Sequence, residues 1–161
     1  MKLEVGAGKS PTPGYTHQDI APGPCIEIVR PAWDTGLEAE SVEEVYSRHF
    51  LEHLRPPDAD RTMVEWMRVL KSRGHLHIIV PNLAFHAQQL FRQGQSEFVD
   101  ETNCMHAMYS IYGWPGEHME HKWGYTRDSL WYLLQRHGFL QFRWTWAREC
   151  DLQVEAWKQC A

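Results

Sequence analysis

Residues 3–20, LEVGAGKSPTPGYTHQDI, contain two short apolar runs separated by a loop rich in glycine and proline. The first run predicts a strand that leads into Gly6-Ala7-Gly8, where glycine lets the backbone turn sharply and lets a ligand approach closely. The second run, at 15–20, predicts another strand, and Asp19 near its end could accept hydrogen bonds from both hydroxyls of a ribose. A G-x-G motif alone is weak, because ordinary turn glycines explain it about as often.

The loop between these two strands argues against a nicotinamide dinucleotide-binding fold. Pro11 stands at the third glycine position of that fingerprint, and residues 6–14 form the whole connection. A crossover that includes a helix takes roughly 10–12 residues or more. We therefore expect this crossover to be mostly loop, without a helix N-terminus that could receive phosphate.

Apolar residues recur at helical spacing from Met63 to Leu70, which predicts the clearest helix of the chain. Asp60 is the expected N-cap, and Gly74 is the expected C-terminal stop. Elsewhere, strand-like runs alternate with helical ones, and two aromatic-rich runs come last. This order indicates an α/β protein whose sheet ends in an antiparallel hairpin. These further elements are predicted at 25–29, 42–46, 75–80, 83–92, 126–138, 140–146 and 151–157.

Length and composition are those of one globular domain, 1–161, with 43% hydrophobic and 23% charged residues. No apolar run approaches the roughly 18 residues of a membrane span, and no signal peptide is recognisable, so we expect a cytoplasmic protein. The net charge of −5 argues against a nucleic-acid-binding face. Because no C-x-x-C pair occurs, we expect four free thiols. These are Cys25, Cys104, Cys150 and Cys160.

Five stretches, taken in order, resemble the class I S-adenosylmethionine-dependent methyltransferases. They are residues 3–20, SVEEVYSRHFLEHL (41–54), EWMRVLKSRGHLHIIVPN (65–82), IYG (111–113) and HKWGYTRDSLWYLLQRHGF (121–139). More narrowly, they are similar to short bacterial predicted methyltransferases that begin at the first strand. The resemblance implies a Rossmann-like methyltransferase fold. Its central sheet would be mostly parallel with a C-terminal antiparallel hairpin, and its first crossover helix would be reduced to a loop.

The resemblance also implies S-adenosylmethionine as cofactor and methyl transfer to an oxygen or nitrogen atom of a small-molecule or glycan-type substrate. His49 and His121 are the candidate catalytic residues, because neutral imidazole suits a general base near pH 7. The resemblance places Pro31 at the position of the acidic residue that often binds adenine, so Asp34 or a backbone carbonyl is the expected substitute. The candidate cofactor-binding residues are Glu4, Gly6, Gly8, Asp19, Asp34 and Ser47.

Two other functions remain open at this point. The first is a methyltransferase-like binding protein without activity, which Pro31 and the missing crossover helix would explain. The second is a zinc hydrolase, because His49, Glu52 and His53 match H-x-x-E-H. That pattern needs both histidines on one helical face, and Pro56-Pro57 leaves little room for such a helix. We therefore expect no metal site.

Residues 93–123 have no clear period and are long for a connection, which is typical of a functional segment. Its apolar residues and its glycines favour a lid over the substrate, with His118 and His121 pointing toward the cavity that holds His49. The alternative is the interface of a homodimer.

Overall fold

The computed structural model describes residues 1–145 and 148–159. Within them, seven strands form one sheet in the order β3-β2-β1-β4-β5-β7-β6. The strands are β1 (Lys2–Val5), β2 (Thr16–Asp19), β3 (Ile28–Val29), β4 (Val42–Arg48), β5 (Leu70–Pro81), β6 (Phe139–Thr145) and β7 (Asp151–Lys158).

The first five strands in chain order run parallel to one another, and β7 pairs antiparallel with both β5 and β6. The predicted α/β class, the mostly parallel sheet and the C-terminal hairpin are confirmed. The helices are α1 (Pro56–Val69), α2 (Leu83–Gln89), α3 (Asn103–Tyr112) and α4 (Arg127–Arg136), and a 3-10 turn covers Leu51–His53. No helix of the described chain is both long and apolar enough to cross a membrane.

The first crossover, residues 6–15, contains no helix, as predicted. A buried carboxylate orders this loop from below. Glu4 accepts hydrogen bonds from the backbone N–H of Thr12 at 2.6 Å and from its hydroxyl at 2.8 Å. Hydrogen bonds to the Glu4 side chain therefore fix the conformation of this loop in the absence of a crossover helix.

Helix α1 begins at Pro56, so the predicted cap at Asp60 is wrong. The two prolines at 56 and 57 occupy the first turn, where the absent N–H has no intrahelical partner to lose. Asp60 lies inside the helix, where its carboxylate accepts from His137 at 2.8 Å and also pairs with Arg136. These contacts tie α1 to the C-terminal end of α4.

The end of α1 also differs from the prediction. The helix stops at Val69, and the backbone of Leu70 is already extended and begins β5. Gly74 lies within that strand, where an added Cβ would come within 2.9 Å of the Lys71 carbonyl oxygen. Its small size serves close packing in the strand and not a helix stop.

Residues 93–123 are more regular than the sequence indicated, because they contain α3. The side chain of Thr102 caps this helix by accepting from the N–H of Met105 at 3.2 Å. The predicted cap of α4 at Thr126 is confirmed, with Ser129 completing a capping box. Cys25, Cys104 and Cys150 are free thiols as expected, whereas Cys160 and Trp146, the predicted end of β6, lie outside the described residues.

One face of the sheet packs on α1 and α4 to form the core. Burial of each large apolar side chain there contributes about 1.5–3 kcal/mol, which holds the strands in fixed register beneath the site. Fully buried members of this cluster include Leu3, Val45, Met63, Trp66, Leu76, Ile78, Leu130, Leu134 and Val154.

Candidate functional site

A cavity of about 1770 Å³ opens at the carboxyl ends of the parallel strands. Its wall is built from the loops after β1, β2 and β4, from residues between 106 and 122, and from the start of β7. Open α/β sheets bind ligands at this edge. Because ordinary ligand pockets measure roughly 300–1,000 Å³, this cavity has room for a cofactor and a second molecule.

The glycine loop after β1 forms one side of the wall. Gly6 and Gly8 both have left-handed backbones, with φ of +73° and +57°. A Cβ on Gly6 would lie 2.4 Å from Cδ2 of Phe50, whereas a Cβ on Gly8 would meet nothing within 4 Å. Gly6 thus permits close packing of the loop on Phe50, and Gly8 leaves open space on the side where a ligand would approach.

Asp19, at the end of β2, lies in the wall next to this loop. Its Oδ2 accepts from the N–H of Gly8 at 2.9 Å, and its Oδ1 accepts from the N–H of Ala21 at 3.0 Å. Each carboxylate oxygen can accept a second hydrogen bond. Asp19 can therefore hold the loop and still bind a pair of hydroxyls.

The other three candidate cofactor residues do not lie in the cavity wall. Glu4 is bonded to Thr12 beneath the loop, and Ser47 is buried within β4. Asp34 forms an ion pair with Arg30 at 3.1 Å. The structure brings Gly6, Gly8 and Asp19 together but leaves Glu4, Ser47 and Asp34 apart from them, so a cofactor role for these three stays a prediction.

His49 follows β4 with a left-handed backbone, φ +49°, and its side chain is half-exposed in the cavity. Its Nδ1 lies 3.5 Å from Glu52 Oε1, and its Nε2 lies 3.8 Å from Asp151 Oδ1. Burial lowers the pKa of His49, but the two carboxylates outweigh burial and raise the pKa above its ordinary value of 6.5. His49 is a base whose protonated form both neighbours stabilise.

His121 reaches the same cavity from the loop after α3. Its Nδ1 donates to the carbonyl oxygen of Ser110 at 2.9 Å, and its Nε2 lies 4.0 Å from Glu52 Oε1. Burial lowers the pKa of His121, so the neutral imidazole is favoured. His118 also lines the cavity, but its side chain is 73% exposed and lies near Glu117.

Sequence reasoning missed four polar residues of the wall, which come from α2, α3 and the hairpin. Burial lowers the pKa of His86 to about 4 and raises the pKa of Asp151. His86 donates from Nε2 to the Cys150 carbonyl oxygen at 2.9 Å. No motif marks these positions, and Asp151 reaches the carboxyl ends of the parallel strands only because β7 runs antiparallel to β5. The four are His86, His106, Arg148 and Asp151.

Comparison with known proteins identifies the fold. Residues 15–78 match a family model described as a methyltransferase domain. A solved S-adenosylmethionine-dependent methyltransferase from Methanosarcina mazei superimposes with a TM-score of 0.61 at 15% identity, covering 99% of this chain and 92% of that one. The fold is that of the class I methyltransferases. The fold that the resemblance implies is therefore confirmed.

Two further methyltransferase structures superimpose equally well. One, from Archaeoglobus fulgidus, has a TM-score of 0.65 at 15% identity, over 98% of this chain and 85% of its own. The other is the 1,6-didemethyltoxoflavin N1-methyltransferase of Burkholderia thailandensis, solved with S-adenosylhomocysteine. It has a TM-score of 0.65 at 14% identity, over 98% of this chain and 70% of its own. No curated protein matches the chain significantly. Together, the methyltransferase-domain match and these neighbours show that the chain has the fold of a methyltransferase domain.

Proposed function

We propose that this methyltransferase-fold protein moves a methyl group from S-adenosylmethionine to an oxygen or nitrogen atom of a small molecule. The observation that carries the proposal is Asp19, a carboxylate with spare acceptor capacity beside the open Gly8 position in the cavity wall. Both features suit an adenosyl ribose. The bound cofactor would supply an electrophilic methyl carbon, and the protein would mainly position the acceptor in line with it.

The remaining cofactor contacts follow from the wall. Pro31 and Trp33 offer an apolar surface for the adenine ring, beyond the end of β3. Lys9, which also lies in the wall, is placed to pair with the carboxylate of the methionine part. A lysine ammonium here replaces the helix N-terminus that the loop crossover lacks.

His49 is the residue we assign to the acceptor. The bound cofactor would supply the methyl group, with its sulfur as the leaving atom, and the acceptor oxygen or nitrogen that takes up this group would have to lose a proton. The proton of the acceptor passes to a ring nitrogen of neutral His49. The imidazolium is then stabilised by Glu52 and Asp151, which lie 3.5 and 3.8 Å away.

The size of the cavity and the 1,6-didemethyltoxoflavin bound in the Burkholderia thailandensis enzyme support a small-molecule acceptor, with a glycan as the alternative. We further propose that the segment 93–123 covers the acceptor, because His106, Trp114 and His121 all line the cavity. Tyr112 and Met108 are exposed, so a homodimer contact is the competing role. Sedimentation analysis that finds a dimer, broken by Tyr112→Ala, would favour that role.

Calorimetric titration with S-adenosylmethionine and S-adenosylhomocysteine tests the cofactor directly. We expect one site per chain with micromolar affinity. Transfer of labelled methyl groups to a panel of hydroxyl and amine acceptors then tests the reaction. Absence of binding up to about 1 mM, a free energy of only about −4 kcal/mol, would overturn the proposal and favour a binding protein without activity.

A further inference from the structure

Glu52, His53 and His121 form a cluster in which the two histidines line the cavity and Glu52 is buried behind them. Their ligand atoms lie within 4.8 Å of one another. The 3-10 turn after β4 supplies the first two residues, and the loop after α3 supplies the third. The carbonyl oxygen of Glu52 accepts from the N–H groups of Lys122 and Trp123 at 2.8 and 3.1 Å, which fixes the loop against the turn. We propose that this cluster binds a divalent metal ion such as Zn²⁺.

The hydrogen bonds of both imidazoles use Nδ1 and leave Nε2 available to a metal. His53 Nδ1 lies 2.9 Å from the Glu120 carbonyl oxygen, and His121 Nδ1 lies 2.9 Å from the Ser110 carbonyl oxygen. A carbonyl oxygen only accepts, so each Nδ1 carries the hydrogen and each neutral ring keeps a lone pair on Nε2. Metal-binding histidines are typically oriented by such a hydrogen bond from the other ring nitrogen.

The carboxylate of Glu52 is the second, independent observation. Its residue is only 1% exposed, and neither oxygen accepts a hydrogen bond from any described residue. The nearest basic atoms among the described residues are His49 Nδ1 at 3.5 Å and His121 Nε2 at 4.0 Å, both beyond ordinary hydrogen-bond distance. A buried carboxylate with so little compensation is costly. A divalent cation between Glu52 and the two Nε2 atoms would supply the missing charge.

Two imidazoles and one carboxylate form a donor set that zinc uses when a coordination position stays open. Zinc bonds of about 2.0–2.2 Å place neighbouring ligand atoms about 3.4 Å apart, so the cluster closes by no more than about 1.4 Å on binding. This site differs from the H-x-x-E-H pattern, because the partner of Glu52 and His53 is His121 and not His49. His121 is 68 residues from His53 in the sequence, so no local motif indicates this cluster.

The open position would face the cavity, because both histidines lie in its wall. There the metal would hold an oxygen atom of the acceptor next to His49 and lower the pKa of its hydroxyl. This role rests on the proposed methyl transfer, whereas metal binding itself does not.

Metal binding is tested on the full chain after treatment with a chelator and its removal. The stripped protein is titrated with Zn²⁺ in competition with a chromophoric chelator, and with Co²⁺ by visible absorption. We expect one equivalent of each metal and the Co²⁺ spectrum of a four- or five-coordinate site. His53→Ala and His121→Ala should each weaken Zn²⁺ binding at least about 100-fold, the effect of losing one of three ligands. His118→Ala, an exposed change in the same loop, should bind Zn²⁺ as the wild type does.

Absence of saturable Zn²⁺ binding below about 100 µM, or equal affinities of the wild type and His121→Ala, would overturn the site. Circular dichroism of each variant checks that it is folded, and the less buried His53 gives the decisive variant if His121→Ala is not. Calorimetry of the stripped protein with S-adenosylhomocysteine is run in parallel. Cofactor binding without metal binding would overturn this inference alone, and metal binding without cofactor binding would overturn the proposed function alone.

Discussion

Replacing Asp19 by alanine removes the carboxylate that we assign to the ribose. Hydrogen bonds to a charged acceptor contribute about 1.5–3 kcal/mol, so the affinity for S-adenosylhomocysteine should fall roughly 10–150-fold. The change also releases the N–H groups of Gly8 and Ala21, which Asp19 holds at 2.9 and 3.0 Å. Both lie near the surface where water can replace the carboxylate, so we expect a loss of only about 1 kcal/mol in the free energy of unfolding.

Calorimetry measures the affinity, and urea unfolding measures the stability of the same samples. Asp19→Asn separates the two effects, because an amide oxygen still accepts from one N–H while the charge is lost. Asp34→Ala is the matched control, since Asp34 is paired with Arg30 outside the cavity wall. The reasoning is refuted if Asp19→Ala binds the cofactor as tightly as the wild type, or if Asp34→Ala loses as much affinity.

Two more predictions concern His49 and the glycine loop. In chelator-treated protein, NMR titration of His49 should give a pKa above 6.5. Asp151→Asn should lower the pKa of His49, because one stabilising carboxylate charge is gone. An unchanged pKa in this variant would contradict the contact between His49 and Asp151. Gly6→Ala should destabilise the fold by about 2–5 kcal/mol in urea unfolding, since it combines a left-handed backbone with a Cβ 2.4 Å from Phe50. Gly8→Ala, with a left-handed backbone but open space, should cost only about 1–2 kcal/mol, and equal losses would show that Phe50 does not constrain the loop.

The sheet could be predicted from sequence because each strand is marked by its own apolar run and turn residues. The start of α4 could also be predicted from Thr126, because a helix cap and an amphipathic period are local signals in the sequence. Helix bounds were less certain for a physical reason. Proline usually interrupts a helix, but Pro56 fits the first turn of α1. Leu70 continues the apolar period of α1, although its backbone already belongs to β5.

The candidate site was only half predictable. Gly6, Gly8 and Asp19 follow their strands directly, so the chain order alone places them at one edge of the sheet. Asp151 and the pairing of His121 with Glu52 depend on long-range placement of β7 and of the loop after α3. No spacing rule connects residues so far apart in sequence.

The hydrogen bonds from Lys122 and Trp123 to the Glu52 carbonyl affect the order in which the sheet and the cavity wall fold during synthesis. The sheet around β1 and β4 needs only the first half of the chain, together with β5. The turn at 51–53 meets its partner loop only after more than a hundred residues have been synthesised and α3 has docked. Closing so long a loop is entropically slow. A nascent chain would therefore form the sheet edge that carries Gly6, Gly8 and Asp19 before the wall of the cavity is complete. Brief local unfolding of 120–123 would open the cavity while leaving the sheet intact.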